Sequence, residues 1–168
     1  MRSLPTTFRA ALEDPHNDDP PLVFLTLSHA DLTDPIRCVW DTVDYVLSSN
    51  TYIGFPFEIS LPSDGDGEPQ GRLTIQNVDR RIGEAVLALS GPPLVTIEIY
   101  AASDWDLTVV PRVPLGTPAL AYRAGNLYFR QISVDASTAS GALTSWNFAS
   151  QPWPGKVAMA GILPGLFR

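Results

Sequence analysis

Cysteine and cationic side chains are scarce in this 168-residue sequence. The single cysteine, Cys38, excludes an intramolecular disulfide and a cysteine-based metal site. Because it lies in the apolar run 36–40, we expect it to be a buried small hydrophobe. Eleven Lys and Arg against eighteen Asp and Glu give a formal net charge of -7. That charge disfavours a surface that grips nucleic acid, since such surfaces neutralise phosphates with clustered cations.

Long hydrophobic runs are also absent. No stretch approaches the roughly 18 apolar residues of a membrane span, and the first residues lack the apolar segment of a secretory signal. The sequence therefore predicts no membrane insertion, and folding in a cytosol.

Patterns typical of catalysis are missing as well. The two histidines are His16, in an acidic connector, and His29, at the end of a predicted strand beside Ser28 and Asp31. A Ser–His–Asp site would need these local side chains to converge, and the sequence has no serine flanked by glycines in the manner of a nucleophile elbow. We predict no enzymatic activity, no catalytic residues and no cofactor.

The acidic loop 64–68 (DGDGE) resembles the start of a calcium-binding loop. Such loops end on a bidentate glutamate, but Ile75 stands eleven residues after Asp64. We interpret the segment as a solvated loop and predict no metal site.

Proline and glycine, in contrast, are abundant, with sixteen and twelve copies spread along the chain. They favour short strands joined by turns over long helices. A hydrophobic share of 45% is ordinary for a globular protein, and the length suits one domain spanning 1–168. The sequence predicts a mainly β domain: an antiparallel sandwich or barrel of nine or ten strands with one or two short helices.

The segment 71–100 predicts a strand, a helix and a second strand. Apolar and polar residues alternate over 72–77, and Asp79 is a suitable N-cap for a helix that places Ile82, Val86 and Leu89 on one face. Gly91-Pro92-Pro93 ends that helix, and alternation resumes at Val95, Ile97 and Ile99. No side chain in this unit is a convincing catalyst.

Other elements follow from the same patterns. A helix is predicted within 1–14, where Leu4, Phe8 and Leu12 share a face. The further predicted strands are 22–28, 36–41, 43–47, 51–57, 59–61, 107–113, 120–124, 126–136 and 141–149, with turns at 48–50, 125–126 and 137–140. Strand 22–28 is nearly continuous in apolar residues, so we expect burial on both faces, or on one face with a subunit contact on the other. The apolar tail 150–168 is broken by proline and glycine and needs a surface on which to lie.

The four tryptophans divide by position. Trp40 and Trp146 fall in predicted strands, where we expect core positions. Trp105 and Trp153 fall in predicted turns and are better candidates for partner contacts. An alternative function, a carbohydrate-binding module, would use Trp105 and Trp153.

Three segments together resemble one protein family: TYIGFPFEISLP at 51–62, GRLTIQNVDR at 71–80 and LPGLF at 163–167. In this order and spacing they are similar to a family of tailed-phage and prophage proteins, DUF1833, encoded among the minor tail genes. The resemblance extends from the N-terminal helix to Phe167. The segment 109–123 departs from it in being richer in proline.

The resemblance implies a structural virion protein of a long-tailed phage, assembled in the host cytoplasm. It would form a homo-oligomeric distal-tail or tail-tip ring, with six copies expected and three as the alternative, and a fold like that of the tail tube. Its implied partners are the tail-tube, tape-measure and hub proteins. DNA would pass through the lumen without specific binding, which suits an acidic chain.

Overall fold

The computed structural model describes residues 6–14, 19–61, 70–76 and 81–145. The two α-helices are α1 (Thr6–Glu13) and α2 (Arg81–Leu87), and one 3-10 turn covers Ala102–Asp104. The strands are β1 (Pro21–Ser28), β2 (Ile36–Val39), β3 (Tyr45–Leu47), β4 (Asn50–Gly54), β5 (Phe57–Ser60), β6 (Gln70–Gln76), β7 (Leu94–Ala101), β8 (Trp105–Asp106), β9 (Val113–Pro114), β10 (Tyr122–Val134) and β11 (Thr138–Thr144).

Nine strands form one sheet in the order β3-β4-β2-β1-β7-β10-β11-β6-β5. Every neighbouring pair is antiparallel except β2 and β4, which run parallel. Strands β8 and β9 form a separate two-stranded ribbon. The predicted class, mainly β with two short helices, is confirmed.

The sheet closes on itself through the connection between β4 and β5. These strands lie towards opposite ends of the strand order but follow each other in the chain, separated only by Phe55 and Pro56. The Phe55 amide donates to the Val39 carbonyl at 2.9 Å, and the Gln76 amide donates to the Pro56 carbonyl at 3.5 Å. One bent segment therefore contacts both halves of the sheet, which curls into a barrel.

Strand β1 is buried on both faces, the first of the two arrangements that its apolar run predicts. Leu25 and Leu27 belong to the barrel core, together with residues of β2, β5, β6, β7, β10, β11 and α2. Leu22 and Phe24 point to the other face, into a second core rich in aromatic rings. Cys38 lies in the barrel core at 3% exposure, and burial raises the pKa of its thiol to about 11, as expected of an inert small hydrophobe.

The strand–helix–strand order predicted at 71–100 is confirmed, but α2 ends at Leu87, so Leu89 lies beyond the helix predicted to include it. Leu73, Ile75, Val95 and Ile97 are at most 1% exposed, and Val86 of α2 joins the same core. The two strands are not neighbours, however, since β10 and β11 lie between β7 and β6. Alternation within each strand identifies the buried face but does not specify the pairing partner.

The two strands predicted at 120–124 and 126–136 are wrong in one respect, because both belong to the single strand β10. Its first half pairs with β7 and its second half with β11. Irregularities in register fall at Asn126 (φ 58°) and Gln131 (φ 53°). The predicted turn at 125–126 is thus a β-bulge, which uses the same left-handed backbone as a turn.

Other boundaries shift by a few residues. The predicted turn at 137–140 is mostly strand, since β11 begins at Thr138. The break between the strands predicted at 51–57 and 59–61 lies at Phe55-Pro56 instead. The tight turn at 48–50 is confirmed, with positive φ at Ser48 and Ser49. The predicted N-terminal helix is confirmed as α1. Several sequence predictions lie outside the described residues: the acidic loop 64–68, His16, Asp79, Trp146, Trp153 and the tail 150–168.

Candidate interaction surface

A long connection between β8 and β10 carries most of the exposed large hydrophobic side chains of the described residues. Of nine exposed large hydrophobic side chains, six lie in residues 107–120, which we call the apolar loop. They are Leu107, Val109, Val110, Val113, Leu115 and Leu120. Val110 is 77% exposed and Leu115 is 70% exposed. Apolar side chains exposed this close together in sequence make the loop the candidate interaction surface.

The strand predicted at 107–113 is wrong. Residues 107–111 form turns and bends, and Arg112 makes a single parallel bridge to Tyr45. Val113 and Pro114 pair, as β9, with Trp105 and Asp106 of β8. The peptide bond between Val110 and Pro111 is cis. Proline removes the backbone donors that a longer ladder needs, so the segment forms a loop in place of an edge strand.

Arg112 fixes the middle of the apolar loop to the barrel. Its Nη1 donates to Asp41 Oδ2 at 2.8 Å and to the hydroxyl of Tyr45, and its guanidinium lies 5.2 Å from the centre of the Tyr45 ring. Its backbone adds two bonds of 2.8 Å, donating to Asp44 O and accepting from Val46 N. The exposed loop is therefore tied to β3 by both side chain and main chain.

The ionisation of this cluster follows from its contacts. Burial works to raise the pKa of Asp41, but hydrogen bonds from Tyr45 and Thr42 and the charge of Arg112 outweigh it and lower that pKa. Burial and the bond to Asp41 raise the pKa of Tyr45 to about 12. A carboxylate, a neutral phenol and a guanidinium therefore persist together at neutral pH, and the chemistry of this group is that of a structural clamp.

Two aspartates hold the ends of the apolar loop. Asp104 accepts from the Leu115 amide through its carbonyl at 2.9 Å and from the Ala119 amide through Oδ2 at 2.8 Å. Asp106 Oδ1 accepts from the amide and the hydroxyl of Thr108, at 2.9 and 2.6 Å, and these bonds lower the pKa of Asp106. The loop thus has a defined shape before any partner binds, which reduces the entropy lost on association.

Beneath the loop lies the aromatic core that Trp105 completes. Its ring stacks on Phe24 with centroids 5.3 Å apart and meets Tyr45 and Tyr100 edge-on at 5.8 and 5.6 Å. Its Nε1 donates to the Val46 carbonyl at 3.1 Å. Trp105 is only 2% exposed, so the prediction of a partner contact is wrong for this residue, and its ring is closed to a sugar.

Trp40 is the opposite case. Predicted as a core residue, it is 55% exposed, so that prediction is wrong. It lies one residue after the end of β2, so the alternation of side chains along that strand does not place it in either core. Val39, its neighbour, fills the aromatic core instead.

The candidate catalytic histidine has a local structural role. His29 Nδ1 accepts from the Asp31 amide at 3.1 Å, and Asp31 Oδ2 accepts from the Ser90 amide at 2.8 Å. These bonds tie the turn after β1 to the segment after α2, and the bonds from Ser90 lower the pKa of Asp31. Across the described ranges, no three His, Cys, Asp or Glu side chains gather into a metal site.

The exposed loop is a feature that sequence reasoning missed. A signal for it exists in VVPRVPL at 109–115, where apolar residues recur without the polar alternation of a half-buried strand and two prolines interrupt pairing. Among the described helices, none has the length and hydropathy needed to cross a bilayer.

Comparison with known families assigns the chain. A family model described as a domain of unknown function, DUF1833, matches residues 7–154. The chain belongs to the DUF1833 family. The matched range of this DUF1833 protein contains α1 except for Thr6, all of α2, the eleven described strands and the apolar loop. No curated protein matches the sequence.

Proposed function

We propose that this DUF1833 protein is a structural component of the tail of a long-tailed phage. It assembles in the host cytoplasm into a distal-tail or tail-tip ring of six copies, with three as the alternative. In the virion the ring joins the tail tube to the hub, contacts the tape-measure protein and lets DNA pass. The role requires no catalysis and no cofactor.

The observation that carries this proposal is the apolar loop. Covering an exposed apolar side chain such as Val110, at 77% exposure, with another surface lowers the free energy of the system. The Arg112 clamp and the bonds to Asp104 hold the loop in one shape without covering it. An apolar, pre-ordered surface of this kind fits a permanent subunit contact, in which apolar area and rigidity both favour assembly.

A second apolar surface supports assembly into a closed ring. A cleft of about 330 Å³ lies between α2 and the β2–β4 pair, and its lining includes Ile36, Ile53, Phe55 and Ile82. Ile53 is 52% exposed. Two different apolar surfaces on one subunit suit a head-to-tail contact, which generates a ring when the rotation between copies closes.

The charge of the chain supports the proposed passage of DNA through the ring. A net charge of -7 gives a ring wall that does not hold phosphates by counterion release. DNA then moves through the lumen without being retained.

Two experiments test the proposal. Light scattering and negative-stain microscopy of the purified chain should show rings of six or three copies, and mass spectrometry of purified virions should detect the protein. A chain that stays monomeric at high concentration and is absent from virions would contradict the proposal.

A further inference from the structure

A cleft of about 720 Å³ opens on the barrel beside Trp40. It falls within the size range of small-molecule sites, roughly 300–1,000 Å³. Its lining combines one exposed aromatic side chain with apolar residues, among them Val23, Phe57 and Ile59, and with the polar residues Glu58, Thr74, Gln76 and Thr138.

The cleft follows from the path of the chain. Trp40 stays beside β1, since its amide donates to the Val23 carbonyl at 2.9 Å. The neighbouring segment leaves β2 after Phe55, bends at Pro56 and joins β6 as β5. Trp40 and residues of β5 therefore line the same cleft, together with the apolar side chain of Val23.

The polar side of the cleft is ordered by strand register. Glu58 of β5 lies directly opposite Thr74 of β6, and Gln76 of β6 lies opposite Thr138 of β11. Thr74 and Gln76 are two residues apart on one strand, so all four side chains share one face of the sheet. They present a carboxylate, an amide and two hydroxyls as a continuous strip of donors and acceptors.

We propose that this cleft binds a neutral saccharide, with Trp40 stacking on a sugar ring and Glu58, Thr74, Gln76 and Thr138 bonding its hydroxyls. A sugar ring has apolar C–H faces and a polar rim, which matches a cleft lined by both an aromatic side chain and a strip of hydrogen-bonding groups. This site is separate from the apolar loop and does not depend on the proposed ring.

The lining chemistry disfavours other ligand classes. Among the described lining residues Glu58 is the one charged side chain, so a phosphate or carboxylate ligand would meet repulsion from it. A purely apolar ligand would cover the polar strip and leave its groups without partners, which costs free energy. A quaternary ammonium could use Trp40 and Glu58 but would leave the hydroxyls and the amide unused.

The test uses the full chain with ¹⁵N-labelled tryptophan. Maltotriose, cellotriose and triacetylchitotriose are titrated separately while the indole N–H signals are followed, and choline chloride serves as the cation. At least one trisaccharide should shift the Trp40 signal with saturation and leave the signal of buried Trp105 in place. Isothermal titration calorimetry measures the variants, since Trp40→Ala has no Trp40 signal to follow. Trp40→Ala should weaken that binding by about tenfold or more, and Gln76→Ala should weaken it severalfold.

Leu87→Ala is the matched control, because Leu87 is 64% exposed and does not line the cleft. It should bind the trisaccharide as the wild type does. The proposal is overturned if none of the three trisaccharides shifts the Trp40 signal, if Trp40→Ala binds as well as Leu87→Ala, or if choline alone saturates the site.

Discussion

The clamp at Arg112 makes a quantitative prediction for folding stability. Arg112→Ala removes a charge-assisted bond to Asp41 at 2.8 Å, a bond to the Tyr45 hydroxyl and a cation–π contact at 5.2 Å. Hydrogen bonds to charged groups contribute about 1.5–3 kcal/mol, and a partly exposed cation–π contact about 0.5–1 kcal/mol. These terms overlap, and the Arg112 and Asp41 side chains are 22% and 24% exposed. We therefore expect a loss of about 2–3 kcal/mol in the free energy of unfolding.

The assay is urea unfolding with a double-mutant cycle and a matched control. Arg123→Ala breaks a different ion pair, to Glu98 at 3.4 Å, in which the arginine side chain is 61% exposed. That loss should stay below about 1 kcal/mol. Combining Arg112→Ala with Asp41→Ala should reveal a coupling of about 1–2 kcal/mol, since the two side chains are in contact. The reasoning fails if Arg112→Ala lowers the free energy of unfolding no more than Arg123→Ala does. It also fails if the losses for Arg112→Ala and Asp41→Ala simply add in the double variant.

Three further predictions concern stability. Trp105→Ala should cost about 3–5 kcal/mol in urea unfolding, because it leaves a cavity among three aromatic rings, and a loss near 1 kcal/mol would contradict the assigned core. The folded-state pKa of Asp41 lies below its unfolded value, which is near 4. The carboxylate's contribution to the free energy of unfolding is therefore complete above about pH 4 and is lost as pH falls through the folded pKa. Asp41→Asn should flatten this part of the stability–pH curve, and an unchanged curve would argue against the contacts assigned to Asp41. Gly141→Ala should lower the free energy of unfolding by about 1–3 kcal/mol, since a Cβ there would lie 2.7 Å from the Phe129 ring and 2.8 Å from the Arg130 carbonyl. An unchanged stability would show that β10 can move away from the new methyl group without cost.

Local patterns predicted the elements whose burial alternates cleanly. Leu73 and Ile75 in β6, and Val95 and Ile97 in β7, face the core as their period of two requires. The continuous apolar run of β1 correctly indicated two buried faces, although the sequence left a subunit contact open as the alternative.

Errors arose where one residue type serves two structures. Asn126 takes positive φ in a bulge as readily as in a turn, so its type could not distinguish one long strand from two short ones. Closure of the barrel depends on which strands pair across the chain, and alternation within a strand carries no information about that choice.

The candidate surfaces were the least predictable part. Trp40 and Trp105 exchanged their expected roles, because a large aromatic ring suits both a core and an interface and only tertiary position decides. The apolar loop is held by contacts between residues far apart in sequence, such as Arg112 with Asp41. No local pattern specifies such contacts before the barrel brings β3 and the loop together.

The central claim, that the apolar loop is the subunit contact, is tested most directly by measuring molar mass in solution for one pair of variants. Val110→Ser combined with Leu115→Ser removes the two most exposed apolar side chains of the loop, and Leu87→Ser is the control at 64% exposure outside it. Light scattering should show folded monomers for the double variant, and rings for both the wild type and the control. Rings of unchanged mass in the double variant would contradict the account.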